Sequence, residues 1–191
     1  MKEVIRNLAT VQMGYSFRSR LETAESGAVA VIQMKDLAGN SVDCGQLKKI
    51  DMKTIKRHHL VQQGDLVFRT RGHSTTSAVL LDDPGTAVVA APLLIIRITK
   101  PDKILPEYLN WYISQRDAQV FLTRRAEGTT QKMISKEALE DLEVPLPSVE
   151  TQQRIVELAA LSEREQTLIR ALAEKRETYI SFILMRCAKG E

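Results

Sequence analysis

The chain has 191 residues, 43% of them apolar and 27% charged, the composition of a soluble globular protein with room for one good core and an appendage, or for two small domains. A net charge of +3 is compatible with nucleic-acid binding through a local basic face but does not argue for it. No apolar run approaches a membrane span and no signal-peptide pattern opens the chain, so a cytoplasmic location is expected. The two cysteines, Cys44 and Cys187, sit in no metal-type spacing. Reduced, incidental thiols are expected, with a structural disulfide as the alternative.

The first segment, residues 4–17, ends in Gly14-Tyr15-Ser16-Phe17-Arg18-Ser19-Arg20, a glycine-started turn followed by aromatic and basic residues. Residues 29–34 read as a buried strand stopped by Asp36 and by Gly39-Asn40. The polar stretch 41–60 predicts strand fragments and loop. Gly64-Asp65 is a turn feeding a strand through Arg69. Residues 77–81 and 86–91 predict a hairpin across Asp82-Asp83-Pro84-Gly85. Leu93-Leu94-Ile95-Ile96-Arg97-Ile98 is the strongest strand, rich in β-branched residues.

After Pro101 the period changes. Pro106 suits the first helical position, and an apolar stripe from Leu109 to Phe121 predicts one helix that Gly128 ends. Ser135 caps a short helix through Asp141. Strands followed by helices without regular alternation predict an α+β fold with a mixed sheet.

Val144-Pro145-Leu146-Pro147 then marks a boundary, because proline continues neither a sheet ladder nor a helix interior. Ser148 can cap the helix that follows, with Glu150 at its positive end. The expected division is 1–147 and 148–191. From Val149 to about Cys187 there is no Gly or Pro. Ile155, Leu158, Leu161, Leu168, Ile169, Leu172, Tyr179, Ile180 and Ile183 recur at three- and four-residue steps, while Ser162, Glu165 and Arg176 interrupt a strict heptad. A helix of roughly 37 residues extends about 55 Å. A domain of about 150 residues has a radius of gyration of only roughly 15 Å. Part of the apolar face therefore needs a partner helix outside its own domain, unless the helix bends back or another chain covers it.

Enzymatic chemistry fails on inventory. There is no phosphate-cradling Gly-rich loop with its Lys-Ser/Thr, no dinucleotide fingerprint, and no nucleophile–base–orienter set. His58-His59, with Asp51 and His73 as possible companions, is the nearest approach to a metal or acid–base cluster. On a strand, adjacent side chains point to opposite faces, so an exposed histidine pair is expected. No catalytic residue, metal or cofactor is assigned. Basic residues near turns carry more. Arg18 and Arg20 follow the first turn, Arg69 and Arg71 stand at a strand end, and Arg124-Arg125 precede Gly128-Thr129-Thr130-Gln131-Lys132. Arg can fork onto guanine and Gln can pair with adenine, while Thr, Lys and backbone N–H groups suit phosphate. Solvated loops are the bland alternative for each segment; three together make DNA recognition competitive.

In this order the motifs resemble the specificity subunit of type I restriction-modification systems, and more narrowly half of one. They are the Gly14 turn, Val31-Ile32-Gln33-Met34-Lys35-Asp36, Gly64-Asp65-Leu66-Val67-Phe68-Arg69-Thr70-Arg71-Gly72, Leu94-Ile95-Ile96-Arg97, Pro106-Glu107-Tyr108-Leu109, Gly128-Thr129-Thr130-Gln131, Ser135 with Leu139, and Val144-Pro145-Leu146-Pro147 with Gln152 and Ile155. The resemblance implies a non-catalytic target recognition domain followed by a coiled-coil-like helical spacer. It also implies double-stranded DNA, methyltransferase subunits and, through them, the restriction subunit as partners. Full-length members carry two recognition domains and two antiparallel spacer helices. A half-length chain restores that arrangement as a homodimer reading two inverted half-sites. On this reading Arg18, Arg20, Lys35, Arg69, Arg71, Thr129, Thr130, Gln131 and Lys132 face DNA. Ile155, Leu158, Leu161, Leu168, Ile169, Leu172, Tyr179 and Ile183 face the partner helix. The alternative is a non-catalytic interaction module acting through its long helix alone.

Overall fold

The computed structural model describes residues 1–17, 27–52, 55–72, 76–128 and 132–190. Arg18, Arg20, His73, Thr129, Thr130 and Gln131 lie outside them. In chain order the strands are β1 (Lys2–Val4), β2 (Ala9–Met13), β3 (Val29–Ile32), β4 (Leu37–Ala38), β5 (Ser41–Val42), β6 (Lys48–Ile50), β7 (Leu66–Phe68), β8 (Ser77–Val79), β9 (Ala87–Val89) and β10 (Leu94–Ile98). Helices α1 (Pro106–Ile113), α2 (Arg116–Arg124) and α3 (Lys136–Glu140) follow, then β11 (Glu143–Pro145) and α4 (Val149–Lys189). The fold is α+β, with mixed sheets ahead of one long helix.

A six-stranded sheet runs in the order β2-β10-β7-β8-β5-β4, and a three-stranded sheet in the order β6-β3-β9. The apolar run at 29–32 has no polar face because β3 is the middle strand of the small sheet and is covered on both sides. Ala30 and Ile32 pack with Val67, Ala78, Val89 and Ile95 in the core shared with the large sheet. Val29 and Val31 point the other way, onto Ile50, Val88 and the partly buried Phe17 and Leu60. The strand stops at Ile32 because the Gln33 N–H donates to Asp36 Oδ2 at 2.8 Å, closing a 3-10 turn over Met34–Asp36.

The hairpin expected across residues 82–85 does not form. The turn is present, with Asp83 Oδ1 accepting from the Gly85 N–H and Gly85 at φ +64°. Yet β8 pairs with β7 in the large sheet, whereas β9 runs parallel to β3 in the small one. Both strands are buried throughout, so either sheet can accept them, and local turn chemistry does not choose.

The single helix expected after Pro106 is two. Gln115 is extended (φ −74°, ψ 153°), and side chains take over the exposed carbonyls of the last turn of α1: Ser114 Oγ and Gln115 Nε2 both donate to Trp111 O, and Gln119 Nε2 donates to Ile113 O. Helix α1 packs on the large sheet through a buried polar contact. Ser77 Oγ donates to Asn110 Oδ1 at 2.7 Å, and Asn110 Nδ2 donates to Asn40 O at 3.1 Å. Ser135 caps α3, its Oγ accepting from the Ala138 N–H.

Pro145 does take part in a ladder, at the end of a two-stranded sheet where β11 runs antiparallel to β1 with Pro145 opposite Lys2. Pairing continues past it, with the Leu146 N–H donating to Met1 O. Helix α4 then starts with Ser148 Oγ accepting from the Thr151 N–H, and the Glu150 carboxyl is held below its ordinary pKa by backbone and Ser148 hydrogen bonds at the helix start.

Two compact units divide between Gln153 and Arg154. The first turn of α4 belongs to the first unit because Gln152 is fully buried there. Its Nε2 donates to Lys103 O and Pro147 O, and its Oε1 accepts from the Leu105 N–H. In the second unit Ile155 is half-buried, and Leu158, Leu161, Leu168, Ile169, Leu172, Tyr179 and Ile183 are exposed. Both cysteines are free. No described helix is long and apolar enough to cross a membrane.

Candidate nucleic-acid interface

Three chain segments leave the sheets side by side. Gly14 sits where a Cβ would come within 2.7 Å of Val89 O, so only glycine lets β2 run this close to the end of β9. The Tyr15 N–H donates to Val89 O and the Ala91 N–H to Tyr15 O, laying Tyr15-Ser16-Phe17 along the exit of β9. The second segment is the 3-10 turn carrying Lys35. The third is the exit of β7, where Thr70 Oγ1 donates to Pro92 O and the Ile134 N–H donates to Thr70 O.

Between them opens a cleft of about 630 Å³ lined by Ser16, Phe17, Gln33, Lys35, Arg71 and Pro92, among others. Lys35 is exposed, 3.7 Å from the buried Asp36 that closes its own turn. Arg71 lies beside Met133 in a β-bridge, and Met133 in turn exchanges backbone hydrogen bonds with Glu127. The exposed Lys132 therefore starts one residue from the rim that Arg71 helps to form. The structure brings Lys35, Arg71 and Lys132 to one region of the domain.

Arg69 is placed differently. Its Nη2 donates to Met34 O at 3.1 Å, and its Nε is buried without a hydrogen-bond partner among the described residues. From this position it supports the turn that presents Lys35. Arg125 is engaged with Asp141 at 3.1 Å and stacks over Phe121, its carbon 4.2 Å from the ring centre.

Ser16, Phe17 and Gln33 line the cleft beyond the residues expected from sequence. The available signal was their position next to Arg18 and Lys35 at strand exits. The histidine pair is not on a strand. Arg57–His59 is a 3-10 turn, which brings the His58 and His59 rings within 4.2 Å of each other. His59 meets Tyr15 edge-on at 5.2 Å, and Tyr15 meets Phe17 at 4.8 Å, so a row of rings leads into the cleft. Burial is the main cause that lowers the His59 pKa from 6.5, with the charges of His58 and Lys56 acting the same way. Among the described residues no three His, Cys, Asp or Glu side chains gather as metal ligands. The cleft offers cations, an amide and ring faces, a donor set for phosphate and base edges.

Residues 3–174 match the family model for the type I restriction modification DNA specificity domain. The chain belongs to that family. It is 22% identical over 170 residues to the type I restriction enzyme EcoBI specificity subunit of Escherichia coli, a match covering 85% of this chain and 35% of the relative. Among solved structures it resembles a chain from the assembly and conformational transition of the type I R-M system, with a TM-score of 0.66 at 21% identity over 92% of this chain and 41% of the other. It also resembles the HsdS subunit from Thermoanaerobacter tengcongensis, with a TM-score of 0.58 at 16% identity over 90% and 39%. At these identities the structural matches establish a shared fold. This specificity-domain chain spans about a third of the length of its curated relative.

Proposed function

We propose that this chain is a DNA-reading specificity component of a type I restriction-modification system, binding double-stranded DNA through the cleft between Phe17, Lys35 and Arg71. The convergence of Lys35 and Arg71 on one cleft, from segments far apart in sequence, carries the proposal. Lys132 extends the basic surface, and Arg18, Arg20, Thr129, Thr130 and Gln131 belong to the same DNA-facing set. Arg69 acts behind it, through Met34. The chain itself does no chemistry; it directs methyltransferase subunits, and through them a restriction subunit, to its site in the cytoplasm. Residues 1–147 form the recognition domain and 148–191 the spacer. Two copies pair through the spacer helix, so that the complex reads a bipartite site with inverted half-sites.

Fluorescence polarisation on duplex DNA across a salt series, with and without the partner methyltransferase, tests the cleft. Lys35→Ala, Arg71→Ala and Lys132→Ala are expected to weaken binding and to reduce the salt slope by about 0.9 for each phosphate that is no longer neutralised. Unchanged affinity and slope in all three would remove the surface. The exposed apolar stripe of α4 also suits an interaction module with no DNA role, for which no duplex would bind specifically even with the methyltransferase present.

A further inference from the structure

The apolar stripe of α4 carries a charge pattern that selects how it pairs. Seven-residue steps from Ile155 and from Leu158 place Ile155, Leu158, Ile169, Leu172, Tyr179 and Ile183 on one seam. The same seam also carries Ser162, Glu165 and Arg176 between them, and Arg186 at its C-terminal end. Leu158 and Leu172 are 69% and 68% exposed, and Glu165 and Arg176 are also exposed. A shallow groove on this helix is lined by Ile169, Leu172, Tyr179 and Ile180 together with Lys175, Arg176 and Glu177, so Arg176 borders the apolar surface.

We propose that α4 pairs antiparallel with a second copy of itself in one register, centred between Arg170 and Ala171 and selected by two symmetric Glu165–Arg176 ion pairs. This rests on the self-pairing reading above and on the antiparallel arrangement that the family resemblance implies, and adds the register. With the two-fold axis at that point, Ile169 of each copy faces Leu172 of the other, Leu158 faces Ile183, and Ile155 meets the exposed Arg186 at each end of the overlap, where the guanidinium can reach water. Ser162 then faces the Tyr179 ring. Glu165 falls opposite Arg176, once on each side of the axis. Sliding by one heptad sets Glu165 against Ile169 or Ile183, and Arg176 against Leu158 or Leu172, which desolvates unpaired charges. A parallel in-register pair sets Glu165 on Glu165 and Arg176 on Arg176, a like-charge clash at both layers. Of these arrangements only the centred antiparallel one pairs Glu165 with Arg176 while burying the apolar layers between them. The charges thus discriminate between arrangements more than they add affinity.

Sedimentation equilibrium of the whole chain, with circular dichroism as a fold control, tests this through charge reversal. Glu165→Arg alone and Arg176→Glu alone each place like charges at both layers. Each is expected to raise the dimer Kd by about tenfold or more. An equimolar mixture of the two variants recreates both ion pairs, as does the double variant E165R/R176E, and both are expected to recover wild-type affinity. Single variants that associate as tightly as wild type would overturn the register and leave self-pairing standing. Weakened single variants that neither the mixture nor the double variant rescues would overturn it too. Wild-type chain that stays monomeric at micromolar concentration would remove self-pairing itself and the register with it.

Discussion

Asp65 and Arg97 form an ion pair between the turn entering β7 and strand β10. Asp65 is 1% exposed; Arg97 Nε and Nη2 grip its two carboxylate oxygens at 2.8 and 2.6 Å, and Nη2 also donates to Leu60 O. The Gln62 N–H donates to the same carboxylate, so the turn entering β7 is tied to β10. Asp65→Ala leaves a guanidinium with no counter-charge at the sheet and is expected to cost about 3 kcal/mol in urea denaturation. Both residues were visible in sequence as a turn aspartate and a strand arginine, but nothing local paired them across 32 positions. His59 supplies a pH test. Its folded pKa is depressed, so the native state resists the proton that the unfolded chain accepts near 6.5. Its contribution to stability is present above that value and is lost as pH falls below it through the depressed folded pKa. Thermal melts between pH 7.5 and 5.5 should show a decline that His59→Phe makes shallower.

Among the elements, short helices and caps were legible because they are written locally. Ser135 and Ser148 cap where their spacing predicts, and Pro106 opens α1. Ser135→Ala is expected to cost about 1 kcal/mol, read from the shift in urea midpoint. The α1–α2 break was not legible, since Ser114 and Gln115 are tolerated inside helices and only the packing of both halves bends the chain there. Helix α4 is locally continuous, but its anchorage is tertiary. Gln152 satisfies Lys103 O and the Leu105 N–H in the loop before α1 and Pro147 O just before α4, and all three lose this partner in Gln152→Ala. About 2 kcal/mol of stability should go with them, measured by denaturant unfolding of the whole chain.

Across the whole molecule, the proposed function joins a cleft in one compact unit to an exposed apolar stripe in the other. A self-paired chain with one reading surface per copy is expected to yield a split palindromic methylation motif. Methylome sequencing of a host carrying this chain and its methyltransferase checks that outcome. An asymmetric motif would require a second, different recognition domain. The candidate site was legible only as separate basic loops. Lys35 and Arg71 come together because β3 and β7 belong to sheets that share one core.

By itself the sequence determined what short-range chemistry can specify: an α+β class, the strongest strands, the capped helices, and a long C-terminal helix with an extended apolar period. Hydrophobic period and capping act over a few residues, so they survive without knowledge of the fold. Only the tertiary structure decided which sheet received each fully buried strand, which basic residue faced the cleft and which, like Arg69, turned inward to hold a carbonyl. Those outcomes depend on contacts between distant segments, where several pairings bury similar apolar surface and only one also satisfies the polar groups brought with it.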